Sequence, residues 1–176
     1  KNQVNPHFLF NSLNALSALV YDHPDKAIEF INRLSDVYRY VLDSKDKEVV
    51  PVKEELDFVR AYSFLLKTRY EDNIEIEFDV IAQEGYVPPM SLQMLLENVV
   101  KHNEISDEYP MKIILRDRDS YIFVANKLQL KKKNSKMSGI GLDNIKSRYS
   151  VLTDRPVQID QTGHEFIVGL PILQID

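Results

Sequence analysis

Apolar residues in the first part of the chain recur at helical intervals. Leu9, Leu13, Leu16 and Val20 are spaced by four, three and four, which draws one apolar stripe down a helix. Asp22, His23 and Pro24 interrupt it, and Pro24 suits the first turn of a second helix. Ala27, Ile31, Leu34, Tyr38 and Val41 resume the period. So short a break predicts antiparallel neighbours, a helical hairpin. Two helices bury too little surface to stand alone, so the hairpin is expected to pair with a second copy as a four-helix dimer.

Residues 44–50 are polar and charged and run into Pro51, the composition of a linker. The chain therefore divides into a hairpin over residues 1–45 and a second unit over residues 51–176. In the second unit Leu56, Val59, Tyr62, Phe64 and Leu66 predict a helix over 52–70. Ile74, Ile76, Phe78 and Val80 alternate with Glu75, Glu77 and Asp79, the period of a half-buried strand. Pro88 and Pro89 announce a further helix with Leu92, Leu95, Leu96, Val99 and Val100 on its apolar face. Strands are expected over 112–115 and 121–125, joined by the charged turn 116–120. A basic polar loop over 127–138 leads to Gly139-Ile140-Gly141-Leu142 and another helix. Strands over 157–160 and 165–170 close the chain around Gly163. Helices and antiparallel-looking strands segregate as in an α+β sandwich.

Composition narrows the chemistry. With 44% hydrophobic residues a sizeable core can form, and a net charge of -5 gives no electrostatic footprint for nucleic acid. The absence of cysteine excludes disulfides and cysteine-ligated zinc. No apolar stretch approaches the roughly 20 residues that span a bilayer, so no direct membrane contact is expected of this segment. The chain opens without Met inside what reads as a helix, which suggests an excised fragment.

Two stretches carry more than patterning. Asn5-Pro6-His7-Phe8-Leu9-Phe10-Asn11-Ser12-Leu13-Asn14, preceded by Gln3-Val4, resembles the phospho-acceptor signature of the LytS-type sensor histidine kinases. Leu92-Gln93-Met94-Leu95-Leu96-Glu97-Asn98-Val99-Val100-Lys101-His102 resembles the N-box of that family's ATP-binding domain, which has the Bergerat (GHKL) fold. The run Gly139-Ile140-Gly141-Leu142-Asp143-Asn144-Ile145-Lys146-Ser147-Arg148 is similar to its second glycine box. The order and spacing match over nearly the whole chain.

The resemblance implies an α+β architecture, a dimerising phospho-acceptor hairpin followed by a Bergerat-type sandwich. It further implies an ATP- and Mg²⁺-dependent protein-histidine kinase, a homodimer that autophosphorylates His7. The phosphoryl group would pass to an Asp of a response-regulator receiver domain. The chain would be the cytoplasmic portion of a membrane-anchored bacterial sensor. A neutral imidazole is a competent nucleophile near neutral pH, although a lone helical histidine is more often a packing or surface residue. Phe8, Leu9 and Phe10 are expected to anchor the helix beside it, and Asn11 falls one turn further on the same face.

By the same resemblance Asn98 supplies an oxygen ligand to Mg²⁺, with Glu97 in the water or metal shell, and Lys101 and His102 face the phosphates and nucleoside. A solvated polar helix face is the bland alternative for these four. Gly139 and Gly141 let the backbone approach phosphates at a helix N-terminus. Lys131, Lys132, Lys133 and Lys136 would form a lid over the triphosphate, or a plain solvated charge run. One departure stands out. The first glycine box is absent after Val124-Ala125, where Asn126 aligns with the family's adenine-reading Asp and offers a neutral acceptor instead. That departure keeps open a non-catalytic or phosphatase-only scaffold with weak or absent ATP binding. A different ATPase of the same fold lacks the Asn-Pro-His helix and is disfavoured.

Overall fold

Where the chain turns between its first two helices, a single residue suffices. A computed structural model describes residues 6–131 and 140–175. Helix α1 (Pro6–Asp22) and helix α2 (Pro24–Asp43) flank His23, whose N–H donates to Leu19 O at 2.8 Å while Pro24 takes the first helical position. After residues 44–49, β1 (Val50–Pro51) pairs antiparallel with β3 (Tyr86–Val87), two short strands that the sequence pattern did not reveal. Helix α3 (Val52–Tyr70) follows directly, with Glu54 and Glu55 in its first turn and Lys67 and Arg69 in its last, each matching the dipole end it occupies.

Strand β2 (Ile74–Asp79), helix α4 (Ser91–His102), β4 (Met111–Arg118), β5 (Tyr121–Lys127), helix α5 (Ile140–Leu152), β6 (Gln158–Gln161) and β7 (Glu165–Pro171) complete the chain. The main sheet is five-stranded with order β2-β4-β5-β7-β6. Its β2–β4 pair is parallel, so the sheet is mixed rather than wholly antiparallel. The reason lies in the connection: α4 crosses between β2 and β4, and a parallel pair needs such a crossover. The charged turn expected over 116–120 shrinks to Asp119 and Ser120, both at positive φ, because β4 runs on to Arg118.

Helices α3, α4 and α5 bury Leu56, Val59, Leu92, Leu96, Ile145 and Tyr149 against Ile113, Leu115 and Ile122 of the sheet in one core. Phe30, Val37 and Val41 of α2 belong to that same core, since α2 packs along α3. The architecture is thus α+β, a helical hairpin followed by a helix-on-sheet sandwich.

Helix α1 departs from expectation. Leu9, Leu13 and Val20 of the expected stripe are exposed, and Leu16 is only partly buried. Phe8, Ala15, Leu16 and Leu19 make the contacts with the core and Ser12 is the buried residue, because α1 meets the rest of the chain on a face that overlaps the expected stripe only at Leu16. In α2, Ile31 is likewise exposed while Phe30 and Val37 are buried.

One carboxylate ties three helices together. Glu55 of α3 is wholly buried and accepts from Met90 N at 2.9 Å and Leu92 N at 3.0 Å, so it caps α4. The phenol of Tyr40 in α2 donates to the same carboxylate. Arg148 of α5 donates to Pro89 O at 2.8 Å in the same turn, where Met90 sits at φ 64°. Burial pushes the Glu55 carboxyl up, and the three donors and Arg148 oppose that shift.

Candidate functional site

The apolar stripe of α4 fixes the helix in the core, and the residues between its apolar positions open onto two cavities. A cleft is lined by Asn98 and His102 of α4, Asn103, Asn126 of β5 and the apolar side chains of Leu95, Val99, Leu142 and Phe166 among others. A separate small chamber is lined by His7, Asn11, Tyr62, Arg69 and Glu97 among others. Glu97 and Asn98 are consecutive, and consecutive helical residues stand about 100° apart, so the cleft and the chamber adjoin across one edge of α4.

The cleft has flat apolar walls and neutral polar groups. Asn126 is buried and donates through Nδ2 to Lys127 O at 2.8 Å, which leaves Oδ1 as its acceptor. His102 is 5% exposed, and its Nδ1 has no hydrogen-bond partner among the described residues. Burial, followed by the charges of Lys101 and Lys131, lowers the His102 pKa, so the ring is held neutral. Asn103 is spent on structure, donating to Val99 O at 2.9 Å and accepting from Gln129 N at 2.8 Å.

Gly141 is needed for a reason other than the one expected. It lies in the first turn of α5, not in a turn before it, and a Cβ there would stand 2.9 Å from Asn98 Oδ1 and 3.0 Å from Nδ2. The missing side chain makes room for the Asn98 carboxamide. Gly139 and the lysines at 132, 133 and 136 lie outside the described residues. Lys131 is no lid: its Nζ donates to Val100 O and Lys101 O, both at 3.1 Å, and its N–H donates to His102 O, closing the C-terminus of α4.

Two further expectations change. Glu97 lies in the His7 chamber, where Gln93 Nε2 donates to its Oε2 at 2.9 Å, rather than beside Asn98. Lys101 is exposed and does not line the cleft, because a residue three positions on is still rotated about 60° from Asn98. His102 and Asn126 line the cleft together with Asn98.

In the chamber His7 is exposed, and its Nδ1 lies 3.1 Å from Asn11 Nδ2. Of the three apolar residues after it, Phe8 does the anchoring, its ring 5.2 Å from that of Tyr62, while Phe10 is 66% exposed. Tyr62 and Arg69 were not singled out from sequence; they stand two turns apart on α3, and the only cue was that helical spacing. Glu55 was missed likewise, and an acid in the first turn of a helix was its only mark.

Among the described residues no group of three or more His, Asp or Glu could hold a metal ion. A cation in the cleft would rely on the Asn98 carboxamide oxygen and on oxygens brought by its ligand, as suits a hard ion carried by phosphates. The roomy seat given that carboxamide by Gly141 and the unpartnered His102 Nδ1 both fit a bound nucleotide.

A histidine-bearing helical hairpin thus precedes a sandwich whose helix α4 lines a cleft. Residues 1–74 match the family described as "Histidine kinase". The chain is 35% identical over 116 residues to the sensor protein LytS of Staphylococcus saprophyticus, covering 65% of this chain and 20% of that protein. It is 40% identical over 103 residues to the sensor protein LytS of Enterococcus faecalis, covering 57% and 17%. It is also 40% identical over 102 residues to the sensor histidine kinase/phosphatase LytS of Staphylococcus aureus, covering 57% and 18%. The chain thus spans about a fifth of the length of these curated relatives. Among solved structures, the catalytic domain of histidine kinase ThkA is 15% identical with a TM-score of 0.47, covering 72% of this chain and 99% of that one. Over those spans the chain is similar to the LytS sensor proteins.

Proposed function

We propose that this chain is the core of a two-component sensor histidine kinase, which binds ATP in the cleft and phosphorylates His7 in the chamber. The observation that carries this reading is the placement of α4, whose adjacent residues Asn98 and Glu97 line the cleft and the chamber. The cleft walls suit a planar heteroaromatic base, and Asn126 Oδ1 and His102 Nδ1 are the polar atoms placed to meet it. Mg²⁺, held by Asn98 and the phosphates, would neutralise charge on the transferring group. Residues 1–45 would serve as the dimerising phospho-acceptor unit and residues 51–176 as the ATP-binding unit.

The exposed side chains of Leu9, Leu13, Val20 and Ile31 support a homodimer through the hairpin, since none of the other described residues covers them. An Asp on a response-regulator receiver domain would take the phosphoryl group. Among the described residues no helix is long and apolar enough to cross a membrane, so an anchor would lie elsewhere in the longer protein.

Incubation with Mg²⁺ and γ-labelled ATP should give acid-labile, base-stable label on the wild type and none on His7→Gln. Label that survives the substitution overturns the assignment. A second reading, a phosphatase-only or non-catalytic scaffold, is favoured by Asn126, whose neutral amide replaces a carboxylate at the base-reading position. Calorimetric titration with a non-hydrolysable ATP analogue separates the two, because the absence of heat at millimolar ligand selects the scaffold.

A further inference from the structure

The two neighbours Glu97 and Asn98 divide the work of α4. Asn98 lines the cleft and Glu97 lines the chamber with His7. In the chamber Asn11 Nδ2 lies 3.1 Å from His7 Nδ1. An amide N–H can only donate, so in this arrangement Nδ1 is the acceptor and the neutral ring keeps its proton on Nε2. A protonated Nε2 has no lone pair for phosphorus, so the proton must leave as the new bond forms. Among the described residues the other ionisable side chains lining the chamber are Arg69 and Tyr62 of α3 and Glu97 of α4. A guanidinium stays protonated and cannot accept. The Tyr62 phenol is pushed up by burial and by the charge of Glu97, so it also keeps its proton. Glu97 remains, oriented by Gln93 at 2.9 Å.

We propose that Glu97 is the proton acceptor for His7 in the transfer step, an inference that rests on His7 being the phospho-acceptor. The Nε2–H bonding pair becomes the Nε2–P bond, and the proton passes to a Glu97 carboxylate oxygen. The bond from the γ-phosphorus to the β,γ-bridging oxygen breaks, and its electron pair leaves on ADP. The phosphohistidine is neutral at Nδ1, which still accepts from Asn11, and Glu97 returns its proton to solvent. Asn11 is then a positioning residue that sets the tautomer.

The inference separates Glu97 from any part in holding the cation. In the nucleotide-free protein, ¹⁵N NMR of the His7 ring should show the Nε2–H tautomer, and an Nδ1–H tautomer would overturn the scheme. Glu97→Gln, of the same shape, should lower the autophosphorylation rate by about 100-fold, the low end of what a positioned acid–base group contributes. Its KM for Mg-ATP and its affinity for a non-hydrolysable analogue should stay at wild-type values. Glu97→Asp should recover part of the rate, and acetate should recover part of it in Glu97→Ala. A Glu97→Gln rate equal to wild type, or a loss of nucleotide affinity in proportion to rate, refutes the role. If the wild type itself carries no label on His7, the kinase reading fails. If it labels normally while Glu97→Gln is unimpaired, only the assignment of Glu97 fails.

Discussion

The cleft and the chamber share one helix but solve opposite problems. The cleft is apolar, with neutral polar groups: a carboxamide at Asn98, another at Asn126 and an imidazole held neutral at His102. The chamber mixes an imidazole with Arg69 and Glu97, and the exposed His7 opens it to solvent. A planar base gains from apolar contact and a few fixed hydrogen bonds, whereas a group that trades protons needs ionisable neighbours. Placing the two on adjoining faces of α4 keeps the charged side chains among the described residues out of the apolar walls of the cleft while leaving only a helix edge between them.

That division predicts independent responses on each side. Leu95→Ala removes a side chain that is 3% exposed and lines the cleft. It should cost about 2–5 kcal/mol of stability by urea denaturation, and the tautomer of His7 should not change. Gly141→Ala pushes a Cβ against the Asn98 carboxamide. Nucleotide affinity should fall about tenfold, or roughly 1.4 kcal/mol, by calorimetry, with little change in unfolding midpoint because the displaced atoms end a side chain. Phe8→Ala loses a ring contact with Tyr62 and should cost about 0.5–1.5 kcal/mol. Faster amide exchange confined to the first turns of α1, with analogue binding intact, is the expected signature; weakened nucleotide binding would break the comparison.

The smallest effect concerns His102. Its folded pKa is lowered below the ordinary 6.5, so the unfolded chain binds its proton first on acidification. Its contribution to stability is therefore complete above pH 6.5 and is lost as pH falls from there through the lower folded value. Comparing midpoints of wild type and His102→Gln across that window should show the wild type losing more. Equal slopes would mean that the ring is not held neutral in the cleft.

Much of this was legible in the chain. Val52–Tyr70 is a helix over the predicted span because its apolar residues all face one core. The alternation Ile74–Asp79 gave β2 directly. Asn98, His102 and Asn126 could be grouped because motif order and the i, i+4 spacing of α4 place them together. Less legible was which face of α1 would pack, since Leu9-Leu13-Leu16 and Phe8-Ser12-Ala15 are both helical rows and only α3 chooses between them. The side taken by Glu97 depended on the rotation of α4 about its axis, which Glu55 and Pro89 fix from elsewhere in the chain. The parallel register of β2 with β4 and the short β1–β3 pair depend on distant partners that local periodicity does not contain.

The carboxylate of Glu55 acts as a bolt through three helices. A slip of α2 by one turn, about 5.4 Å along its axis, would pull the Tyr40 hydroxyl away and leave a buried carboxyl short of a hydrogen-bond partner. Small rotations that keep the bolt seated must therefore drag the start of α4 with them. The hairpin and the start of α4 are thereby joined through a single side chain.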